Sequence, residues 1–333
     1  MASTVNTAFN EFMKDYVNLD KNKVTNARSS KNFFIKQVNS FPSKHDDFPA
    51  LYEDKHFGFG SFARSTKKRP LDDIDHLICM KANGVTYTEL YDGTVQMTVP
   101  SDAKPFSNLL QTNSTTLLSS IKVVNRFVKY LDEIPQYEKA DIKRNQEAAT
   151  LKLTSYDWNF DIVPCFFTSA EADGRTYYLI PDGQGNWKKT DPTLDKARTS
   201  SVNQSRDGHV LRAIRAMKYW NSRPTMASMG SYLIENMILD FYENNEATQW
   251  VDWEVRKLLK HIKDNIFNRV NDPKNIQGNI NTLTWEQKNS IHTRATDDYT
   301  KSVEAYDYET SNPAYAISKW QGIFGTNFPK FDG

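Results

Sequence analysis

Apolar positions with a helical spacing mark the first forty residues of the chain. Val24, Ala27, Phe34 and Val38 fall on one stripe when residues 5–39 are drawn as a helix. The pattern therefore predicts one long N-terminal helix that packs its apolar stripe at the edge of the fold, with Asp20 placed to cap its second half.

Between residues 55 and 190 the pattern changes to short apolar or alternating runs separated by turn residues, which is typical of β-strands. Asp92-Gly93 divides one stretch into two β-rich runs, and this dipeptide favours a tight hairpin turn. One helical face interrupts the strands at residues 113–132 and ends before Pro135. The predicted strands lie in the segments 55–60, 74–82, 85–99, 148–167 and 175–187.

After residue 200 helical periodicity returns, in segments separated by Asn, Pro and Gly. The segments are 207–222, 228–244, 247–266 and 284–308. The predicted fold class is α+β, with a strand-containing domain at residues 1–200 that includes the N-terminal packing helix and a helical domain at 201–333. No flexible linker separates the two, so we expect them to pack together around a cleft.

Composition narrows the class of protein. The 333 residues are 38% hydrophobic and 13% aromatic, enough for a sizeable core, and the formal charge of +1 excludes the overall basic excess of a dedicated duplex-binding protein. Cys79 and Cys165 lie in apolar runs, which favours buried thiols in a reducing cytoplasm. No run approaches the roughly 18 apolar residues of a membrane helix, and the N-terminus has no signal pattern.

The strongest chemical signal is a pair of acids at the start of an apolar strand. Alternate side chains of a strand share a face, so Asp73 and Asp75 project together while Ile74 points into the core. Two adjacent carboxylates repel each other unless a cation lies between them, and oxygen ligands favour Mg²⁺ or Mn²⁺. A lone D-x-D of this kind also occurs at ordinary solvated strand ends, so the pair needs support from other residues.

Two further features supply that support. Gly60-Ser61 offers a turn whose backbone N–H groups and hydroxyl suit a terminal phosphate, although a Gly-Ser pair is also a common plain turn. Asp161 opens a second apolar strand and completes an acidic triad if that strand neighbours the first. Together the features describe a site for metal ions and nucleoside triphosphates.

The spacing of these residues resembles a known superfamily. Asp73 is the twelfth residue after Ser61, and the third Asp opens a hydrophobic strand, as in polymerase-β-like nucleotidyltransferases. The motifs GSFARSTKKRPLDDIDHL, FDIVPCF, YLIPDGQGNWKKTDP, LRAIRAMKYWN and SYLIENMIL closely resemble the cyclic GMP-AMP synthase/DncV-like nucleotidyltransferases of bacterial antiphage signalling, the CD-NTases. The resemblance covers residues 55–245 and implies a polymerase-β-like domain on a C-terminal helical bundle.

The resemblance also implies roles for individual residues. Asp73, Asp75 and Asp161 match the family's metal-binding triad, and Gly60 with Ser61 match its phosphate-holding turn. Further matches lie in the helical part, where a lysine reaches the triphosphate and a Ser-Tyr pair contacts phosphate and stacks on a base: Lys218, Ser231 and Tyr232.

Other interpretations of single residues stay open beside these matches. Lys218 also fits a solvated cationic helix face, and Tyr232 also fits a core position. Arg64, Lys67 and Lys68 are interpreted as a surface charge run beside the motif, with attraction of triphosphates as the alternative.

The predicted reaction is nucleotidyl transfer assisted by two Mg²⁺ ions, with Mn²⁺ as an alternative. The triad holds one ion, Asp73 and Asp75 hold the second with the triphosphate, and Asp161 is the candidate to receive the proton of the attacking hydroxyl. The resemblance implies two successive transfers that give a cyclic oligonucleotide messenger, most simply a dinucleotide, for a separate effector. Linear oligonucleotide synthesis, nucleotidylation of protein or RNA, and an inactive nucleotide-binding module are the alternatives, and a D-x-D glycosyltransferase has no use for the upstream Gly-Ser.

Partners are predicted from the same resemblance. The near-neutral charge and the lack of a Cys- and His-bearing metal ribbon indicate that no long duplex activates the protein. In some systems of the family a ubiquitin-ligase-like partner conjugates the C-terminal residue, and a mobile Gly333 would suit that reaction. The six histidines show no metal-ligand spacing, so we find no rival catalytic set.

Overall fold

A computed structural model describes residues 2–333 and divides into two compact units. The sheet unit comprises residues 21–63 and 71–193, and the helical unit comprises residues 2–20, 64–70 and 194–333. The predicted domains placed the N-terminal residues with the strands, whereas residues 2–20 cluster with the helical unit. The assignment of catalytic and helical domains stays a prediction.

Over residues 2–333 the structure contains nine strands and twelve α-helices. The strands are β1 (Phe57–Phe59), β2 (Asp73–Cys79), β3 (Thr86–Glu89), β4 (Val95–Thr98), β5 (Asp141–Asn145), β6 (Ala148–Lys152), β7 (Asn159–Phe167), β8 (Tyr178–Pro181) and β9 (Trp187–Thr190). The helices are α1 (Val5–Phe12), α2 (Lys21–Asn39), α3 (Phe41–Lys44), α4 (Gly60–Ala63), α5 (Lys104–Ser107), α6 (Ser120–Asp132), α7 (Pro192–Gln204), α8 (Val210–Asn221), α9 (Ser231–Glu243), α10 (Val251–Asn265), α11 (Trp285–Tyr308) and α12 (Pro313–Phe324).

All nine strands form one sheet in the sheet unit, in the order β1-β2-β7-β8-β9-β4-β3, with β6 pairing β7 and β5 beside it. The pairing of β2 with β7 is parallel, and the other pairings are antiparallel. The last four residues of β2 are all buried, as expected of a strand that packs against other elements on both faces. The predicted strands and the hairpin at Asp92-Gly93 are confirmed, whereas β5 and β9 were not predicted.

Helix α6 packs against β5, β6 and β7 through its apolar face. The predicted start at residue 113 is too early. Leu117 and Leu118 are instead extended and form bridges with Thr98 and Leu110, and the Ser119 side chain then accepts the Lys122 N–H as the N-cap.

The N-terminal segment is two helices, so the prediction of one helix over residues 5–39 is wrong. Helix α1 passes into a π-helical turn, Met13–Val17, and Asn18 is extended. The backbone N–H of Arg69 donates to the Val17 carbonyl at 2.9 Å, and the Arg69 guanidinium donates to the Asn18 carbonyl. Because Arg69 takes these carbonyls, they are not used to continue a helix into α2.

The helical unit has a core of apolar side chains from α1 and α8–α12, among them Phe9, Trp220, Leu258, Ile291 and Phe324. The four helices predicted after residue 200 are confirmed as α8, α9, α10 and α11, each with bounds inside or close to the predicted ones. Helices α7 and α12 were not predicted.

The C-terminal tail lies beside the N-terminal segment within the helical unit. Phe331 forms a parallel bridge with Ala2, and the Asp332 N–H donates to the Ala2 carbonyl at 3.3 Å. The terminus is therefore docked, whereas we expected a mobile Gly333. Across residues 2–333, every helix is too short or too polar to cross a lipid bilayer.

Candidate active site

The first two acids of the predicted triad lie at the start of β2. Asp73 and Asp75 are half-buried, and Ile74 between them is buried, as the alternation of a strand requires. The two carboxylates therefore share one face of the sheet.

The pairing of β2 with β7 brings the third acid to the same place. In the parallel register Asp75 lies opposite Asp161, and Asp73 lies opposite Asn159. Residues opposite each other on neighbouring strands point to the same face, so Asp161 lies beside Asp75. The Asp161 carboxylate accepts a hydrogen bond of 2.6 Å from the Thr150 hydroxyl of β6, which fixes its orientation.

A cavity of about 340 Å³ opens over this part of the sheet. Asp75 and Asp161 line it together with Phe59, Val163 and Ile180. The turn between β5 and β6, residues 145–148, completes the wall. The cavity thus combines three acidic residues, Asp75, Asp161 and Glu147, with apolar surfaces, which is typical of a site for a small polar ligand.

Gly60 follows β1 and packs directly against Asp75. Its φ is +71°, and a Cβ at this position would lie 1.8 Å from the Asp75 Oδ2 atom. Only glycine fits both the backbone conformation and the space. Ser61, the next residue, lies in the first turn of α4.

The donor set at this site fits a hard divalent cation. Asp73, Asp75 and Asp161 offer only carboxylate oxygens, and such ligands suit Mg²⁺. Over residues 2–333, however, no three His, Cys, Asp or Glu side chains are already grouped closely enough to hold an ion. The strands thus align the acids along one face without closing a metal cage.

Lys218 lies on α8 in the helical unit and is buried, not on a solvated face. Its Nζ donates to the Glu235 Oε1 atom on α9 at 2.6 Å. Arg64 donates to Oε2 of the same carboxylate through Nε and Nη2, at 3.1 and 3.0 Å. The interpretation of Arg64 as part of a surface charge run is therefore wrong.

Ser231 and Tyr232 form the start of α9. Ser231 is exposed, and Tyr232 is half-buried with its hydroxyl donating to Asp195 Oδ1 at 2.7 Å. Lys274 bonds the same hydroxyl, and its Nζ lies 4.1 Å from the centre of the Tyr232 ring. Burial and the carboxylates of Asp195 and Asp272 raise the pKa of Tyr232 far above its usual range. A cation thus already lies over the ring that was predicted to stack on a base.

Comparison with known proteins decides the family. A curated protein of Bacillus cereus, named a probable cyclic nucleotide synthase, is 43% identical over 334 residues, which cover all of both chains. The chain belongs to the CD-NTase family. No model in the collection of protein families matches the chain.

Solved structures show that this CD-NTase has the polymerase-β-like fold. CdnC of Escherichia coli with ATP superposes with a TM-score of 0.72 at 18% identity, covering 97% of this chain and 98% of the other. DncV of Vibrio cholerae without ligand gives a TM-score of 0.67 at 11% identity, covering 98% and 97%. A complex of CdnC with HORMA-deltaN also superposes, with a TM-score of 0.69, 18% identity and coverage of 97% and 98%.

Two residues around the predicted sites of this CD-NTase escaped the sequence analysis, Thr150 and Glu235, and the surface position favoured for Arg64 was wrong. Thr150 sits in an apolar run with no motif of its own, and only the pairing of β6 with β7 reveals its role. Glu235 lies within the motif SYLIENMIL, so its position beside Ser231 and Tyr232, which have predicted roles, was the available signal.

Proposed function

We propose that this CD-NTase condenses nucleoside triphosphates into a cyclic oligonucleotide, a cyclic dinucleotide in the simplest case, and releases pyrophosphate. The observation that carries the proposal is the register of β2 and β7, which sets Asp75 opposite Asp161 beside the Gly60 turn. Membership of a family with a probable cyclic nucleotide synthase at 43% identity supports the cyclic product.

Asp73, Asp75 and Asp161 are the residues that would hold Mg²⁺ or Mn²⁺. When bound, two such ions lower the pKa of an attacking sugar hydroxyl and stabilise the leaving pyrophosphate. The chain itself contributes the orientation of Asp161, which Thr150 fixes from the neighbouring strand. Asp161 would take up the proton of the hydroxyl, directly or through water.

The cavity supports a small substrate at this face of the sheet. Its volume of about 340 Å³ lies in the usual range of ligand pockets, about 300–1,000 Å³. Phe59 and Ile180 supply apolar walls beside the carboxylates. Gly60 and Ser61 would hold the terminal phosphate, because their backbone lies next to Asp75 without an intervening side chain.

The product would act on a separate effector in antiphage defence. We place the enzyme in the cytoplasm, since Cys79 and Cys165 are buried free thiols. The name of one structural neighbour records a complex of CdnC with a HORMA-deltaN protein, which supports a regulatory protein partner. Conjugation through Gly333 would require Phe331 to leave its bridge with Ala2.

The proposal is tested by incubating the purified protein with the four ribonucleoside triphosphates and Mg²⁺. We expect pyrophosphate release and a product that resists phosphatase, identified by mass. Asp75→Asn or Asp161→Asn should lower the rate more than about 100-fold, because metal-ion catalysis contributes several kcal/mol to the transition state. Asp157→Asn, which changes an exposed acid paired with Lys23, is the control and should retain activity.

Other outcomes would select among the alternatives. A phosphatase-sensitive product indicates a linear synthase, and label transferred to protein or RNA indicates nucleotidylation. Folded wild-type protein that consumes no triphosphate with Mg²⁺ or Mn²⁺ would overturn the proposal in favour of a nucleotide-binding module.

A further inference from the structure

A buried cluster of two cations and one carboxylate lies within the helical unit. Lys218, Arg64 and Glu235 have side chains that are 7%, 11% and 2% exposed. Burial alone would raise the pKa of Glu235, but the charges of Arg64 and Lys218 outweigh it and hold the pKa below its usual value. The carboxyl is therefore ionised at neutral pH, and the cluster carries a net charge of +1.

A buried net charge destabilises the folded state. Other buried carboxylates of the helical unit show whether such a net charge is needed for packing. Among residues 2–333, Glu235 is the one carboxylate that forms an ion pair with either Arg64 or Lys218. Glu254 in the same unit is equally buried, but it pairs with a single cation, Lys257, and otherwise accepts from neutral donors of Tyr242 and Thr248. Asp298 in the same unit also holds two cations, but the side chains of Arg294 and Lys301 are 17% and 34% exposed to water, whereas both cations at Glu235 are buried.

The two cations keep most of their hydrogen-bonding capacity. Lys218 uses one of its three N–H donors on Glu235, and Arg64 uses two of its five. Bonds between such cations and phosphate oxygens are strong, and the planar guanidinium adds geometric specificity. Arg64 also follows α4 directly in the chain, three residues after Ser61 of the predicted phosphate turn.

We propose that Arg64 is a second triphosphate-binding residue beside Lys218, and that Glu235 is a positioning residue that holds both cations in place. The inference rests on the proposed function, because it takes the triphosphate as the anion that balances the excess charge. The proposal predicts that Arg64 and Lys218 bind the triphosphate together and that both depend on Glu235 for their position.

Two measurements test the proposal: binding of inorganic tripolyphosphate with Mg²⁺ by calorimetry, and the KM and kcat for nucleoside triphosphate. Arg64→Ala should weaken tripolyphosphate binding and raise KM about 10-fold or more, with kcat changing less. The reason is that the lost charge-assisted bonds would be made in both the bound ground state and the transition state. Arg64→Lys should recover part of the affinity. Glu235→Gln should shift binding and KM in the same direction, because neither cation is then held.

A double variant separates positioning from general stability. If Glu235 acts through Arg64, Arg64→Ala should have a smaller effect in the Glu235→Gln background than in the wild type. Glu254→Gln is the matched control, since it removes an equally buried carboxylate, and circular dichroism reports the folding of each variant. An equal loss of binding in folded Glu254→Gln would overturn the positioning role.

The remaining outcomes are also decisive. Unchanged tripolyphosphate affinity in folded Arg64→Ala overturns the proposal, and this variant decides alone if Glu235→Gln does not fold. A wild-type protein that binds tripolyphosphate through Arg64 yet releases no pyrophosphate would refute the proposed function and leave this inference standing.

Discussion

At the scale of single residues, the site depends on close contacts that leave no room for substitution. Gly60 is the clearest case, because the Asp75 carboxylate occupies the space that any Cβ would need. The sequence indicated a Gly-Ser turn, but the reason for the glycine is a neighbour on another strand. Thr150 is a second case, because its hydroxyl orients Asp161.

Gly60→Ala should therefore reduce pyrophosphate release about 100-fold, since a displaced Asp75 loses its position at the reacting centre. Gly93→Ala is the matched control, because Gly93 also has a positive φ, of 83°, but has no atom within 4 Å of its would-be Cβ. Gly93→Ala should lose about 1 kcal/mol of stability from backbone strain alone, and Gly60→Ala should lose more because Asp75 must also move, as measured by urea unfolding. Equal activity in the two variants would contradict the role of the Gly60 contact.

At the scale of helices and strands, the sequence predicted most elements that have strong periodicity. Helices α8 and α9 were predicted close to their observed bounds because their apolar residues are dense, and α9 is buried on most sides over residues 233–239. Strand β9 was missed because it has only four residues, and helix α7 was missed because its apolar residues do not lie on one side. Asp20 marked the start of α2, but the end of α1 could not be foreseen, because Arg69 from a distant part of the chain takes the carbonyls there.

Helices α8 and α11 are joined by one fully buried carboxylate. Asp298 accepts from the Trp220 Nε1–H at 2.9 Å and forms ion pairs with Arg294 and Lys301. Asp298→Ala should lower the free energy of unfolding by roughly 3 kcal/mol, because it leaves the partners of a buried acid unpaired.

Chemical denaturation of this variant should be compared with Asp297→Ala, which removes the exposed acid next to it. The control should change stability by less than about 0.5 kcal/mol. Similar losses in both variants would mean that Asp298 does not connect the helices.

At the scale of the whole molecule, the formal charge of +1 is too small for general repulsion to dominate the response to pH. Two histidines of the sheet unit, the buried His76 and the half-buried His56, are more important. Burial lowers the pKa of His76 to about 3 and that of His56 to about 4. The His56 Nδ1 atom also accepts the Cys79 N–H, so protonation there would break a bond within the sheet unit.

Below pH 6.5 the unfolded chain binds protons at these two histidines and the folded chain does not. The free energy of unfolding is therefore highest above pH 6.5 with respect to these groups and decreases as the pH falls toward 4. His76 alone should contribute a loss on the order of 2 kcal/mol between pH 7 and 5. Calorimetric unfolding at both pH values checks this, and His76→Leu should reduce the difference. His209→Leu in the helical unit is the control, and an unchanged difference in His76→Leu would refute the assignment.

The sequence by itself determined the alternation that sets Asp73 and Asp75 on one face, the apolar faces of the main helices, and the motifs that indicated the family. These features follow from local periodicity and from residues adjacent in the chain. Only the tertiary structure decided that β7 lies parallel to β2 with Asp161 opposite Asp75, and that Glu235 joins Arg64 to Lys218. Strand register and buried ion pairs depend on packing between segments far apart in the chain, which no local pattern encodes.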